Sequence, residues 1–114
     1  MKKTIVFIGI LLSLTAVAQN KNVVEIKFKV FGKCDMCETR IESALDVSGI
    51  KFADWNIETK QCKVVYNKKK ITEEQIHKLL AEAGHDTQEL TASQKAYDQL
   101  HRCCKYSRKK EDNE

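Results

Sequence analysis

Apolar and polar residues alternate along Val23–Phe31, and a period of two is typical of a β-strand with one buried face. The same kind of pattern predicts strands at Ile50–Ile57 and Cys62–Tyr66, with a hairpin connection at Glu58–Lys60. A last short strand is expected at His85–Leu90. The chain therefore carries four strand-length segments.

Two helices are predicted between these strands, because apolar residues there recur three and four positions apart. The first begins near Cys37 and ends at Ser48–Gly49. The second follows a capping box at Thr72–Gln75 and ends at Gly84. The apolar positions that mark the two helices are Ile41, Ala44, Leu45, Ile76, Leu79, Leu80 and Ala83.

The element order β-α-β-β-α-β predicts an α+β fold of the ferredoxin-like kind, a four-stranded antiparallel sheet with two helices on one face. A short C-terminal helix is expected to follow the sheet and to end near His101. The predicted organisation is a main domain at 19–91, a helical segment with a cysteine pair at 92–104, and a disordered charged tail at 105–114.

Residues 1–18 have the pattern of a cleavable signal peptide. Lys2 and Lys3 precede an uncharged run, Ile5–Val17, and small residues surround the end of that run at Ala16 and Ala18. A membrane-anchoring helix is the alternative, but the run is shorter than the roughly 20 residues that a spanning helix needs. Cleavage after Ala18 predicts a periplasmic or secreted protein with no stable membrane insertion afterwards.

Charge and length narrow the function classes. The 20 Lys and Arg residues exceed the 16 Asp and Glu residues by only four, and they are scattered, so we expect no nucleic-acid partner. The 114 residues suit one small domain. Because no paired carboxylates, nucleophile–base motif or phosphate loop is found, we expect a protein that is not an enzyme.

The candidate chemistry lies in five cysteines: Cys34 and Cys37, the single Cys62, and the adjacent Cys103 and Cys104. Cys34 and Cys37 lie where the first strand passes into the first helix. The free N–H groups and the dipole of a helix N-terminus favour negative charge, which lowers thiol pKa values. Two thiolates at this spacing can bind one soft ion such as Cu(I) or Zn(II).

The residues around this pair resemble the heavy-metal-associated domain family. The similarity rests on Val30–Glu42, Ser48–Ile50, Val64–Asn67 and Ala83–His85, and it covers residues 23–90. With the export segment, the chain is most similar to periplasmic mercury-binding proteins and copper chaperones.

The resemblance implies that Cys34 and Cys37 bind Cu(I), with Hg(II) or Zn(II) as alternatives. It also implies that the ion passes by ligand exchange to a thiol-bearing metal transporter or acceptor protein. One departure is Gly32, since the family usually has a core-packed Met two residues before its first cysteine.

The topology adds a hypothesis about Cys103 and Cys104. The first strand and the second helix should point to the same end of the domain, and a C-terminal helix that doubles back would carry the cysteine pair there. We therefore expect both to join Cys34 and Cys37 in one site or cross-link. The alternative is a frayed tail in which they bridge to each other or to another chain.

For the other candidate residues, the sequence offers alternative roles. His85 is expected at the same end, and copper chaperones of the family often have Lys, Tyr or His there, which implies a ligand or a hydrogen-bond donor near the metal. Met36 is either a weak thioether ligand or a side chain that is exposed or has a packing role. His101 is either a ligand or a solvated residue at the helix end. Cys62 alternates with the apolar residues of its strand and is expected in the core.

An exported thiol–disulfide protein is the second hypothesis, with the Cys34–Cys37 and Cys103–Cys104 pairs cycling between oxidised and reduced forms. Exported proteins meet oxidising conditions, which favours disulfides. A thioredoxin-like protein would need a proline beside the cysteine pair, and the chain has none. The odd number of cysteines excludes complete pairing within one chain.

Overall fold

Three antiparallel strands form the sheet in the computed structural model, which describes residues 21–108. They are β1 at Val23–Lys29, β2 at Ile50–Trp55 and β3 at Gln61–Asn67, and the spatial order is β1-β3-β2. The predicted signal peptide at 1–18 and the last residues, 109–114, lie outside the described residues.

The register of the sheet explains the period of two in the sequence. Phe28 of β1 and Trp55 of β2 both pair with Cys62 of the central strand, and all three side chains are buried. Two residues further along β3, Val64 pairs with Ile26 of β1 and with Ala53 of β2. The apolar face of β3 therefore lies in the core, as the alternation predicts.

Two helices complete this core. The first, α1, is Asp35–Ala44, and the second, α2, is Glu73–Glu82. Thr72 caps α2 with the predicted box, because its side chain accepts from the Gln75 amide while the Gln75 side chain accepts from the Thr72 amide. The fully buried helix side chains that join the strand residues in one cluster are Cys37, Ile41, Ile76 and Leu80.

The predicted fourth strand at His85–Leu90 is reduced to a single bridge between Val30 and Thr87, so the described sheet has three strands rather than four. The chain turns immediately after Thr87, whose amide donates to the Leu90 carbonyl at 2.8 Å. The Thr87 hydroxyl accepts from the Leu90 amide at 3.0 Å and lies 2.6 Å from Nδ1 of buried His77. Two backbone bonds still join this segment to the chain at the end of β1, from the Phe31 amide to the Asp86 carbonyl and from the Gln88 amide to the Lys29 carbonyl. The local bonds of Thr87 end the ladder there.

Residues 92–108, called here the C-terminal segment, differ from the prediction in two ways. The helix α3 is only Gln94–Asp98, capped by Ser93, and a 3-10 turn follows at Arg102–Cys104. The tail predicted as disordered from residue 105 is packed up to residue 108, because Tyr106 is buried and Arg108 forms an ion pair. No helix within 21–108 has the length and apolar character to cross a membrane.

Candidate metal site

The corner between β1 and α1 presents the first two cysteines. Cys34 is the N-cap residue of α1 and has extended backbone angles, and its carbonyl accepts the Cys37 amide at 2.9 Å. Cys37 lies in the first turn and is completely buried, whereas Cys34 is partly exposed. The pair therefore has one sulfur facing the surface and one facing the core.

A third sulfur comes from the C-terminal segment. Cys34 Sγ lies 3.7 Å from Cys37 Sγ and 3.7 Å from Cys104 Sγ. The ligand atoms of these three residues all lie within 4.8 Å of one another. We call this group the inner site.

The sulfur separations fit one ion with three thiolate ligands. Metal–sulfur bonds of about 2.3 Å put two sulfur atoms about 4.0 Å apart in trigonal and about 3.8 Å apart in tetrahedral coordination. Linear coordination by two sulfurs would need about 4.6 Å. The observed 3.7 Å separations are therefore within a few tenths of an ångström of trigonal or tetrahedral geometry.

Within the inner site, Cys34 and Cys104 differ in how readily they lose the thiol proton. Burial opposes ionisation of Cys34, but hydrogen bonds from the Cys37 amide and from the neighbouring thiols outweigh it and lower its pKa to about 7. Burial raises the pKa of Cys104, and its thiol therefore keeps its proton. Cys34 is the nucleophilic sulfur near neutral pH.

Cys103 lies beside the inner site and does not belong to it. Its Sγ is 3.1 Å from Met36 Sδ and 3.4 Å from His101 Nδ1, and interaction with this thiol helps to lower the pKa of Cys34. Met36, between the two cysteines of the first pair, is 50% exposed. The sequence singled out all these residues, but only the structure brings Cys103, Met36 and His101 together.

Trp55 accounts for the departure at Gly32. A Cβ at position 32 would lie 2.8 Å from two ring carbons of Trp55 and 3.1 Å from Cys37 Cβ. The Trp55 indole N–H donates to the Val30 carbonyl at 3.0 Å, which fixes the ring against the loop. Trp55 thus leaves no room for a side chain at position 32, directly behind the buried cysteine.

Tyr106 anchors the C-terminal segment that carries Cys104. Its hydroxyl donates to the Gly84 carbonyl and accepts from the Asp86 amide, both at 2.8 Å. Its ring stacks on His85 and meets Tyr97 edge-on.

Arg108 makes the second anchor, with two hydrogen bonds to the Asp86 carboxylate at 2.7 and 3.0 Å. Burial alone would raise the pKa of Asp86, but the pairing with Arg108 outweighs this effect and lowers it. Sequence reasoning missed Tyr106 and Arg108, and the available signal was that Tyr106 is the lone aromatic residue of 105–114.

His85 and Cys62 do not join the three sulfurs. His85 is fully buried, its Nδ1 lies 2.8 Å from the Phe31 carbonyl, and no described residue partners its Nε2. Burial lowers the pKa of His85, so the ring is neutral at pH 7 and Nδ1–H is the donor. Cys62 is in the core, as predicted, and burial raises its pKa to about 12.

Comparison with known proteins identifies a family model that covers about half of the chain. Residues 27–86 match the heavy-metal-associated domain. The match ends before the C-terminal segment, which therefore contributes Cys103 and Cys104 from outside it. Among curated proteins, none matches the chain.

Solved structures with the same fold include the CopZ metallochaperone, which is 30% identical, with 56% of this chain and 98% of that chain covered and a TM-score of 0.54. Oxidized MerP from Ralstonia metallidurans CH34 is 25% identical, with 57% and 93% covered and a TM-score of 0.54. A copper binding domain from HMA7, a P-type ATPase, is 27% identical, with 56% and 89% covered and a TM-score of 0.54.

Proposed function

The chain belongs to the heavy-metal-associated domain family, and we propose that it binds Cu(I) through Cys34, Cys37 and Cys104 and passes it to a thiol-bearing acceptor protein. The observation that carries this proposal is the convergence of three cysteine sulfurs at separations suited to one three-coordinate ion. Soft sulfur ligands favour Cu(I) over hard ions such as Mg²⁺.

Capture by the inner site begins at Cys34, which is partly exposed and has the lowered pKa. Its thiolate is the first sulfur of the inner site to bond to the ion. The thiols of Cys37 and Cys104 then lose their protons to solvent as they bond, because a thiolate and not a thiol is the metal ligand. Loading therefore releases protons and draws the C-terminal segment onto the ion.

Release reverses this order. An acceptor thiolate approaches on the side of Cys34, since Cys37 and Cys104 are buried. Each new sulfur–metal bond replaces one bond to the chain, so the ion is never without ligands. A third thiolate holds the ion more tightly than a pair does, and an acceptor must compete with Cys104 as well as with the pair.

The choice of ion and compartment completes the proposal. Zn(II) at structural sites takes four ligands, and two-coordinate Hg(II) would need wider sulfur separations, so the inner site suits Cu(I) best. Structural similarity to a copper binding domain of a P-type ATPase supports a transporter as acceptor. Export rests on the signal-peptide pattern of residues 1–18, with delivery in the periplasm or outside the cell.

Thiol–disulfide exchange is the second candidate function. It is favoured by the lowered pKa of Cys34, whose thiolate lies 3.7 Å from two other sulfurs. One similar structure is of an oxidized protein. In this alternative, Cys34 would form a disulfide with Cys37 or Cys104 while an external disulfide was reduced.

Competition for Cu(I) tests the proposal. The chain as recovered from cells is reduced, kept anaerobic and titrated with Cu(I) against a colorimetric Cu(I) chelator. We expect Cys34→Ser and Cys37→Ser to abolish tight binding, and Cys104→Ser to weaken the inner site about tenfold or more. Cys62→Ala is the matched control and should bind like the wild type, because Cys62 is buried away from the site.

A reduced chain with all its thiols free that fails to compete for Cu(I), and also fails to bind Hg(II) and Zn(II), would exclude metal carriage. Recovery of the chain with Cys34 in a disulfide, together with that failure, would favour thiol–disulfide exchange.

A further inference from the structure

Three soft or borderline ligand atoms meet outside the inner site. Cys103 Sγ lies 3.1 Å from Met36 Sδ and 3.4 Å from His101 Nδ1. Cys103 is partly exposed, and the other two residues are exposed. An exposed methionine gains little from burial, so its position against a cysteine thiol is better explained by ligand chemistry than by packing.

We propose that Met36, His101 and Cys103 form a second Cu(I) site, the outer site, at the surface beside the inner site. This inference rests on the proposed function and deepens it, because the outer site is the place at which Cu(I) enters. The ligand set would be one thioether, one imidazole and one thiolate.

The geometry requires only small movements. With bonds of about 2.3 Å to sulfur and about 2.0 Å to nitrogen, the 3.4 Å separation between Cys103 and His101 corresponds to an angle of about 100° at the ion. The 3.1 Å separation between the two sulfurs corresponds to about 85° and must widen. Met36 can move outward because it is half exposed and has an unbranched, flexible side chain.

The ligand types make the outer site selective and weaker than the inner site. Thioether and thiolate sulfur select Cu(I), whereas Zn(II) uses thiolate, imidazole and carboxylate ligands. One thiolate with two neutral ligands neutralises Cu(I), while three thiolates give the inner site more negative charge and a stronger hold. An ion at the outer site is therefore driven inward when the inner site is empty.

Cys34 links the two sites, since its sulfur lies 3.7 Å from Cys104 Sγ and interaction with the Cys103 thiol helps to lower its pKa. Inward movement breaks the bonds to Cys103, Met36 and His101 and forms bonds to the inner sulfurs. Cys103 takes up one proton, and the thiols of Cys37 and Cys104 release theirs. Copper stays Cu(I) throughout, so no oxidant or reductant is needed.

Stoichiometry tests the outer site. The reduced chain is titrated anaerobically with Cu(I), and the ions bound per chain are counted by native mass spectrometry. We expect two Cu(I) ions for the wild type and one for Met36→Leu and for His101→Gln, with the affinity of the first ion changed less than about threefold. Phe52→Leu is the matched control for Met36→Leu, because Phe52 is equally exposed and lies on β2.

In a second arm of the experiment, Zn(II) replaces Cu(I). We expect the wild type to bind one Zn(II) ion per chain, and Met36→Leu to bind the same number. One Cu(I) in the wild type, or two in both variants, would overturn the outer site and leave the proposed function intact. No Cu(I) binding at all would instead contradict the proposed function.

Discussion

Two cysteines of this chain show how strongly position decides thiol chemistry. Cys34, at the N-terminus of α1 and beside other thiols, has its pKa lowered to about 7. Cys62 is buried in the central strand. Desolvation, with a smaller contribution from nearby carboxylates, raises its pKa to about 12. The same side chain is therefore a reactive thiolate at one position and an inert apolar residue at the other.

Alkylation of the metal-free chain should reveal this difference. Reaction of Cys34 with iodoacetamide is expected to rise with pH and to reach half of its maximal rate near pH 7, because the thiolate is the reactive form. Cys62 should remain unmodified in the folded chain up to pH 9. Peptide mass spectrometry after timed labelling measures both, and a Cys34 midpoint above pH 8.5 would contradict the lowered pKa.

Residue patterns in the sequence were sufficient to place Cys34 and Cys37 where β1 passes into α1, and Cys62 in the core. They were insufficient for Gly32, since the reason for that glycine is the ring of Trp55, a residue 23 positions away on another strand. Trp55 is buried, but no local pattern shows which loop its ring contacts.

At the scale of elements, regular periodicity predicted β1, α1, β2, β3 and α2, although α1 ends at Ala44 and not at the predicted Ser48–Gly49. The predicted last strand is reduced to one bridge because side-chain bonds of Thr87 turn the chain. A hydroxyl that bonds to its own neighbours leaves no trace in an apolar–polar pattern. The C-terminal segment was misjudged for another reason. Its polar composition predicted disorder, yet two side chains, Tyr106 and Arg108, hold it to the domain.

The hydrogen bonds of Tyr106 should control the position of Cys104, the third sulfur of the inner site. In Tyr106→Phe, the Gly84 carbonyl and the Asp86 amide lose a buried partner, which costs about 1–3 kcal/mol of folding free energy. We expect Cys104 to become more reactive to alkylation and Cu(I) affinity to fall towards that of Cys104→Ser.

The control for this variant is Tyr66→Phe, which changes a buried tyrosine on β3, on a strand that carries none of the proposed ligands. It should leave Cys104 protected and Cu(I) affinity unchanged. Unchanged labelling of Cys104 in Tyr106→Phe would mean that other contacts hold the C-terminal segment.

At the scale of the whole molecule, two parts of the described chain converge at the inner site. The region matched by the family model supplies Cys34 and Cys37, and the C-terminal segment beyond it supplies Cys104. An ion bound to all three sulfurs therefore crosslinks the segment to the domain. Metal binding and folding of the C-terminal segment are consequently linked, because each favours the state that the other requires.

Thermal unfolding of the loaded chain measures this linkage. Free Cu(I) buffered at 100 times the dissociation constant should stabilise the wild type by about 2.7 kcal/mol, which raises the Tm of a domain of this size by about 10–20 °C. If Cys104→Ser binds about tenfold more weakly, the same Cu(I) stabilises that variant by about 1.4 kcal/mol less. Cys62→Ala, the control, should gain as much Tm as the wild type, although its metal-free Tm is lower. Equal Tm gains for wild type and Cys104→Ser would mean that the ion is held by Cys34 and Cys37 alone, with the C-terminal segment a cover over the site.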